Sequence, residues 1–263
     1  MGPAVTVFGL EKWYLDCVAR DGAVLIGYAA RLRWGLLRLD YGARITKKGD
    51  GPALQRQSFS FGRVDEGGDE IAWANDALRV SGTWTGGRRL DGIVVFDGPD
   101  GRIEWQCLTA NAEVDARVDG EPMRGSGYVE RMCMTVPPWR LPFKELRWGR
   151  YVGDDRRDSV VWIDTRGSLQ RNWTWVNDSV PVEGAVDDLR VRAVGAELLF
   201  ESSRPLRCEN VAATVLGRFR LLAGLLPRGV RSIEEDKRVG SAVLSGDGPA
   251  SRGSSIYEVV KWL

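Results

Sequence analysis

The stretch Gly125-Ser-Gly-Tyr-Val-Glu-Arg-Met-Cys-Met134 holds the densest set of chemically useful side chains in this chain. Side chains alternate along an extended backbone, so Tyr128, Glu130, Met132 and Met134 share one face and Val129, Arg131 and Cys133 the other. A carboxylate is thereby placed among a phenol and two thioethers. On an interior face, loss of water favours the protonated carboxyl and makes Glu130 a proton donor at neutral pH. On an outer face it is a solvated side chain; the parity favours burial.

A second set follows in Pro138-Trp-Arg-Leu-Pro-Phe-Lys-Glu-Leu-Arg-Trp-Gly-Arg150. Glu145, Arg147 and Gly149 take one parity and Leu146, Trp148 and Arg150 the other, an arrangement that can bring an indole and a guanidinium together at a pocket mouth. Arg147 or Arg150 then orients a substrate oxygen or sets the protonation of Glu130. The plainer alternative is a surface ion pair, worth up to about 1 kcal/mol. The chain has 11 tryptophans, and each indole buries much apolar area while needing a partner for its N–H. Some fill cores. A set lining a cavity, with Trp34 and Trp148 shaping it, suits a large flat or polyunsaturated ligand and favours a developing cation. Asp16 and Asp40 are further candidates for inward carboxylates, although Asp beside a turn is more commonly at the surface.

Composition removes several alternatives. Histidine is absent, which takes away imidazole metal sites, the Ser/His/Asp triad and the Cys/His pair, and leaves acid–base work to Asp, Glu, Tyr, Lys or Cys. Cys17, Cys107, Cys133 and Cys208 lie far apart without a CxxC pair and read as reduced, mostly buried thiols. The 37 basic and 36 acidic side chains leave a formal charge of +1, too little to gather nucleic acid. No phosphate loop, dinucleotide fingerprint or calcium loop is present, so no cofactor and no metal is expected.

Positioning these residues requires strands. Apolar side chains recur mostly at a spacing of two, in runs broken by Gly, Asp and Pro. Lys12 to Ala19 opens the pattern, closed by a turn at Arg20-Asp-Gly22, and strands are expected at 27–34, 36–45, 54–64, 70–73, 77–84 and 90–97. After a turn at 97–101 comes the longest alternation, with Ala112, Val114, Ala116 and Val118 on one side and Glu113, Asp115 and Arg117 on the other. The prolines of Val136-Pro-Pro-Trp-Arg-Leu-Pro142 form a rigid connection, which puts a boundary within 120–145 and predicts domains 1–135 and 136–263. Beyond it, strands are expected at 159–165, 172–176, 189–194, 197–202, 239–244 and 255–263. Val211, Val215, Phe219, Leu222 and Leu226 instead follow a helical spacing, predicting a helix over 210–226 that Pro227 and Gly229 end. Its arginines, with Arg228 and Arg231 beyond, admit peripheral membrane contact through 210–231. No apolar run is long enough for a transmembrane segment and no secretory signal is evident, which predicts a cytoplasmic chain. Arg31-Leu-Arg-Trp-Gly35 echoes Glu145-Leu-Arg-Trp-Gly149, a sign of duplication.

Gly127-Tyr-Val-Glu130, followed by Trp148-Gly149, resembles the centre of the carotenoid 1,2-hydratase (hydroxyneurosporene synthase) superfamily, whose lipocalin-like relatives include cyclases. The family pattern is Gly-Tyr-x-Asp followed closely by His-Asn-Trp-Gly. Here Glu130 stands at the Asp position, Arg131-Met-Cys133 replaces the polar residues, and Trp148-Gly149 lies beyond the proline-rich connection. The resemblance implies a mainly β fold of two consecutive calycin/lipocalin-like antiparallel β-barrel or sandwich domains, with the one short helix in the C-terminal half, and a bulky apolar ligand. Taken with the residue pattern, it leads us to expect a cofactor-independent cyclase, isomerase or hydratase for a hydrophobic polyene or polyketide-like molecule. Glu130 and Tyr128 are the expected catalytic residues; Trp34, Arg147, Trp148, Arg150, Met132 and Met134 are expected against the substrate. A non-catalytic carrier or sensor of a lipid-like ligand is the alternative, and an interaction module with filled half-barrels is a third.

Overall fold

The computed structural model describes residues 8–210 and 233–263. The chain forms two compact units that divide between Pro137 and Pro138. It is mainly β and of calycin- or lipocalin-like build, each unit resting on one antiparallel sheet among the described residues.

In the first unit the alternating segments become β1 (Phe8–Ala19), β2 (Val24–Trp34), β3 (Leu37–Lys47), β4 (Leu54–Ser58), β5 (Arg63–Gly67), β6 (Glu70–Asn75), β7 (Val80–Thr85), β8 (Ile93–Gly98), β9 (Gly101–Val118) and β10 (Glu121–Met134). Across the sheet they run β4, β3, β2, β1, β10, β9, β7, β6, β5, with β8 paired to β9. The two edge strands, β4 and β5, are consecutive in the chain and joined by residues 59–62, so the sheet curls until its edges approach. The expected single strand at 54–64 is thus two strands with a crossing between them. Contacts across the curl agree: Trp73 of β6 lies on Gly27 of β2, where a Cβ would come within 2.3 Å of the indole. Only glycine permits that approach. Trp13, Leu15, Leu25, Trp73, Trp84, Val114 and Val129 meet in the interior of this nearly closed barrel and fill it. The predicted alternation is visible in β9, where Ala112, Val114 and Ala116 are buried and Glu113, Asp115 and Arg117 are exposed.

The second unit contains β11 (Phe143–Gly153), β12 (Ser159–Gly167), β13 (Arg171–Val176), β14 (Ala185–Val186), β15 (Arg190–Ala193), β16 (Ala196–Phe200), β17 (Arg204–Asn210), β18 (Ile233–Gly246) and β19 (Ser251–Trp262). Their order is β13, β12, β11, β19, β18, β16, β15, β14, with β17 paired to β18. Strand for strand this repeats the run from β3 to β5 of the first unit, so β11 takes the place of β1, β19 that of β10 and β18 that of β9. The echoed Trp-Gly pairs do not coincide in this repeat: Trp34 ends β2 and Gly35 enters a turn, whereas Trp148-Gly149 lies inside β11. Tyr151, Val160, Trp162, Val191, Leu198 and Leu244 form the core of this unit. Asn210 ends β17, and the rest of the helix expected at 210–226 lies outside the described residues, as does most of the proposed membrane-contact segment at 210–231.

Candidate functional site

Val129 points into the filled barrel, so its neighbours Tyr128 and Glu130 point to the other, outer face of the same wall. Glu130 is nonetheless buried, at 7% exposed. Register assembles the group around it. Tyr14 on β1 stands opposite Glu130 on β10 and Tyr28 on β2, Asp16 stands opposite Tyr128, and Glu130 stands opposite Cys107 on β9. Two register shifts between Gly127 and Glu130 absorb extra residues of β9. Because there are two, Trp105 and Cys107 remain on the face of Glu130.

Two neutral donors hold one oxygen of the carboxyl. Its Oε2 accepts hydrogen bonds from Trp105 Nε1 at 2.6 Å and from the Tyr128 hydroxyl at 2.8 Å. Tyr14 packs edge-on against Tyr28, with ring centroids 5.5 Å apart, and against Tyr128, at 6.0 Å. Lys12 Nζ sits 5.4 Å over the Tyr28 ring. Asp16 is fully buried, and its backbone carbonyl accepts from Trp84 Nε1 at 2.6 Å. As a diagonal neighbour, its Cβ lies about 7 Å from that of Glu130. Burial above all, then the negative charge of Glu130, pushes the Cys107 thiol well above its ordinary value. Burial likewise raises the Tyr128 hydroxyl, with charge on Cys107 and Glu130 adding to the effect. Both groups keep their protons at neutral pH, which leaves the carboxyls of Glu130 and Asp16 as the acidic groups of this cluster.

Of the residues singled out from sequence, Tyr128, Glu130, Met132 and Met134 lie in line on this face of β10. Trp34 shares the parity of Tyr28 but stands six residues further along β2, about 20 Å away. Asp40 is exposed. Trp105, Cys107, Tyr14 and Tyr28 were not anticipated. Their signal was the shared parity of Trp105 with Cys107 and of Tyr14 with Asp16, but the pairing that joins them passes through the two irregularities of β9.

The other predicted residues belong to the second unit, where β11 splits them between its faces. Trp148 and Arg150 are buried on the face away from the core, and Arg150 Nη1 donates to the Ser254 carbonyl at 3.2 Å and to Ser254 Oγ at 3.3 Å. Lys237 is 1% exposed, with its Nζ 5.2 Å over the Trp148 ring. It pairs with Glu258 and lies 3.8 Å from Glu235, which Arg207 also binds. Trp148, Glu258 and Lys237 stand in register on β11, β19 and β18, the places held in the first unit by Tyr14, Glu130 and Cys107. Each unit therefore sets a carboxylate at the same point of its wall: Glu258 pairs with Lys237, and Glu130 accepts from Trp105 and Tyr128.

Arg147 faces the core side, donating to Glu145 at 2.6 Å and pairing with Asp188 at 2.6 Å. It lines a cleft of about 870 Å³ with Trp162, Val186, Asp188, Phe200 and Tyr257. Phe200 stacks on Tyr257 with centroids 4.6 Å apart and packs against Trp162 at 5.8 Å. This cleft and Glu130 belong to different units. Among the described residues no three Cys, Asp or Glu side chains converge as a metal site would require, and no helix is long and apolar enough to cross a membrane.

No family model matches the chain, and no curated protein does. Solved structures do. Kievitone hydratase from Nectria haematococca is similar over 97% of this chain and 89% of its own, with a TM-score of 0.59 and 8% identity. A putative AttH from Nitrosomonas europaea is similar over 97% and 93%, with a TM-score of 0.51 and 13% identity. For CghA the shares are 97% and 88%, the TM-score 0.50 and the identity 11%. At such identities the likeness is one of fold alone.

Proposed function

We propose that this chain is a cofactor-independent cyclase, isomerase or hydratase acting on a bulky hydrophobic small molecule of polyene or polyketide-like type. The observation that carries this reading is Glu130, a buried carboxyl with one oxygen fixed by Trp105 and Tyr128. A group so oriented can protonate an alkene or carbonyl and recover the proton from the product. Tyr128 positions it and a substrate oxygen, Met132 and Met134 offer polarizable apolar surface, and the rings of Tyr14 and Tyr28 favour a developing cation. In the second unit Trp148 and Arg150 are assigned to binding, and Arg147 to the cleft. The hydratase among the structural relatives agrees with this reading, although a shared fold leaves the reaction open. The test is Glu130→Gln, which keeps the side-chain shape. Assayed against polyene and polyketide substrates, the variant is expected to melt as the parent does and to turn over about 10- to 1,000-fold more slowly. Parental turnover by a folded variant would remove Glu130 from the mechanism.

The cleft in the second unit, where Trp162, Phe200 and Tyr257 stand among charged side chains such as Asp188, Glu235 and Arg238, favours a second reading, a carrier of a lipid-like ligand with an apolar body and a polar end. A carrier shows no turnover and keeps its affinity in Glu130→Gln, but loses its ligand in Phe200→Ala, as mass spectrometry of the organic extract of the purified protein would show.

A further inference from the structure

We propose that the hairpin of β2 and β3 is a docking element for an anionic membrane surface. The two strands pair without interruption from Val24 opposite Lys47 to Trp34 opposite Leu37. Their two-residue turn is Gly35-Leu36, with Gly35 at φ 60°, the left-handed conformation that the first position of such a turn requires. On one side β1 accompanies β2 as far as Phe8 opposite Trp34. On the other, β4 pairs with β3 only over residues 42–46, so 37–41 form an edge and the turn projects past it.

The side chains on this projection are poorly suited to water. Leu36 is 102% exposed and Leu37 51%. Next to them Arg33 stands directly opposite Arg38 across the hairpin; both are exposed, and among the described residues neither has an ion-pair partner. Arg31, one step back, lies 3.8 Å from Asp40 and 3.9 Å over the Phe61 ring. Opposed like charges and an uncovered leucine turn both weaken a hairpin. At a lipid surface each becomes favourable: leucines enter the boundary of the acyl chains while guanidinium groups meet phosphates. Trp34, half-buried just behind the turn, is of the type that sits at headgroup level. A second copy of the chain fits less well, because two such tips facing each other would bring four arginines together. This proposal stands independently of the catalytic reading.

The test is flotation of the full-length protein with vesicles of phosphatidylcholine alone and of phosphatidylcholine mixed with phosphatidylglycerol. Binding is expected to the mixed vesicles and to weaken with salt. Leu36→Asp should lower that affinity about tenfold or more and Arg33→Gln about fivefold, with melting no lower than the parent's in both. The proposal is overturned by an absence of binding to mixed vesicles, by equal binding of the Leu36→Asp/Arg33→Gln double variant, which would move the membrane contact to another segment, or by a dimer in solution that Leu36→Asp dissolves without any vesicle binding.

Discussion

Glu130 sits among groups that hold their own protons, and this has a measurable alkaline consequence. Burial raises Cys107 and Tyr128 well above their ordinary values and Tyr151, in the second unit, to about 12. In the unfolded chain these groups ionise near pH 9 to 10, so between there and their folded values the native state binds more protons. Stability is therefore complete below about pH 9 and falls as the pH rises, by up to about 1.4 kcal/mol per pH unit for each group. Tyr128→Phe should flatten that fall by one group's share in urea denaturation followed against pH. At neutral pH the same variant should cost about 1.5–3 kcal/mol, since a buried carboxylate loses a hydrogen bond. The sequence made Tyr128 and Glu130 legible because two residues of one parity on one strand are neighbours in any sheet. It could not show Trp105, the second donor to Glu130, because that contact depends on the register of a different strand.

At the scale of elements, most strands were legible from period-two alternation, and the exceptions have physical causes. β17 is not legible because Arg204-Pro-Leu-Arg-Cys-Glu-Asn210 has little apolar alternation and carries Pro205 at its second position; among the described residues it joins the sheet through β18 alone, and such an edge tolerates proline. The run 54–64 looked like one strand because alternation does not reveal a chain passing from one edge of a sheet to the other. Barrel closure itself rests on Trp73 lying against Gly27. Gly27→Ala should cost about 1–3 kcal/mol through overpacking. Trp73→Phe also destabilises, by leaving a void, yet the two together should cost less than their sum by about 0.5–3 kcal/mol. A double-mutant cycle in urea reads that coupling directly, and strict additivity would mean the indole does not hold the curl.

For the whole molecule, the absence of histidine supplies a quiet background. No side chain with an ordinary pKa titrates between pH 6 and 8, so the urea midpoint should be constant across that window. The repeated strand order was only faintly legible, because the Trp-Gly echo matches residues that occupy different strands. The repeat is carried by pairing, which leaves no signature in a single sequence. Small barrels of this kind can hold a ligand inside, but the first unit fills its interior with Trp13, Trp73, Trp84 and their neighbours. The vessel has become a wall. Along β1 the odd positions Trp13, Leu15 and Cys17 serve the fold, while the even positions Lys12, Tyr14 and Asp16 face the polar group around Glu130. Robustness and chemical character are thus written on alternate letters of the same strand, so each is free to drift without rewriting the other.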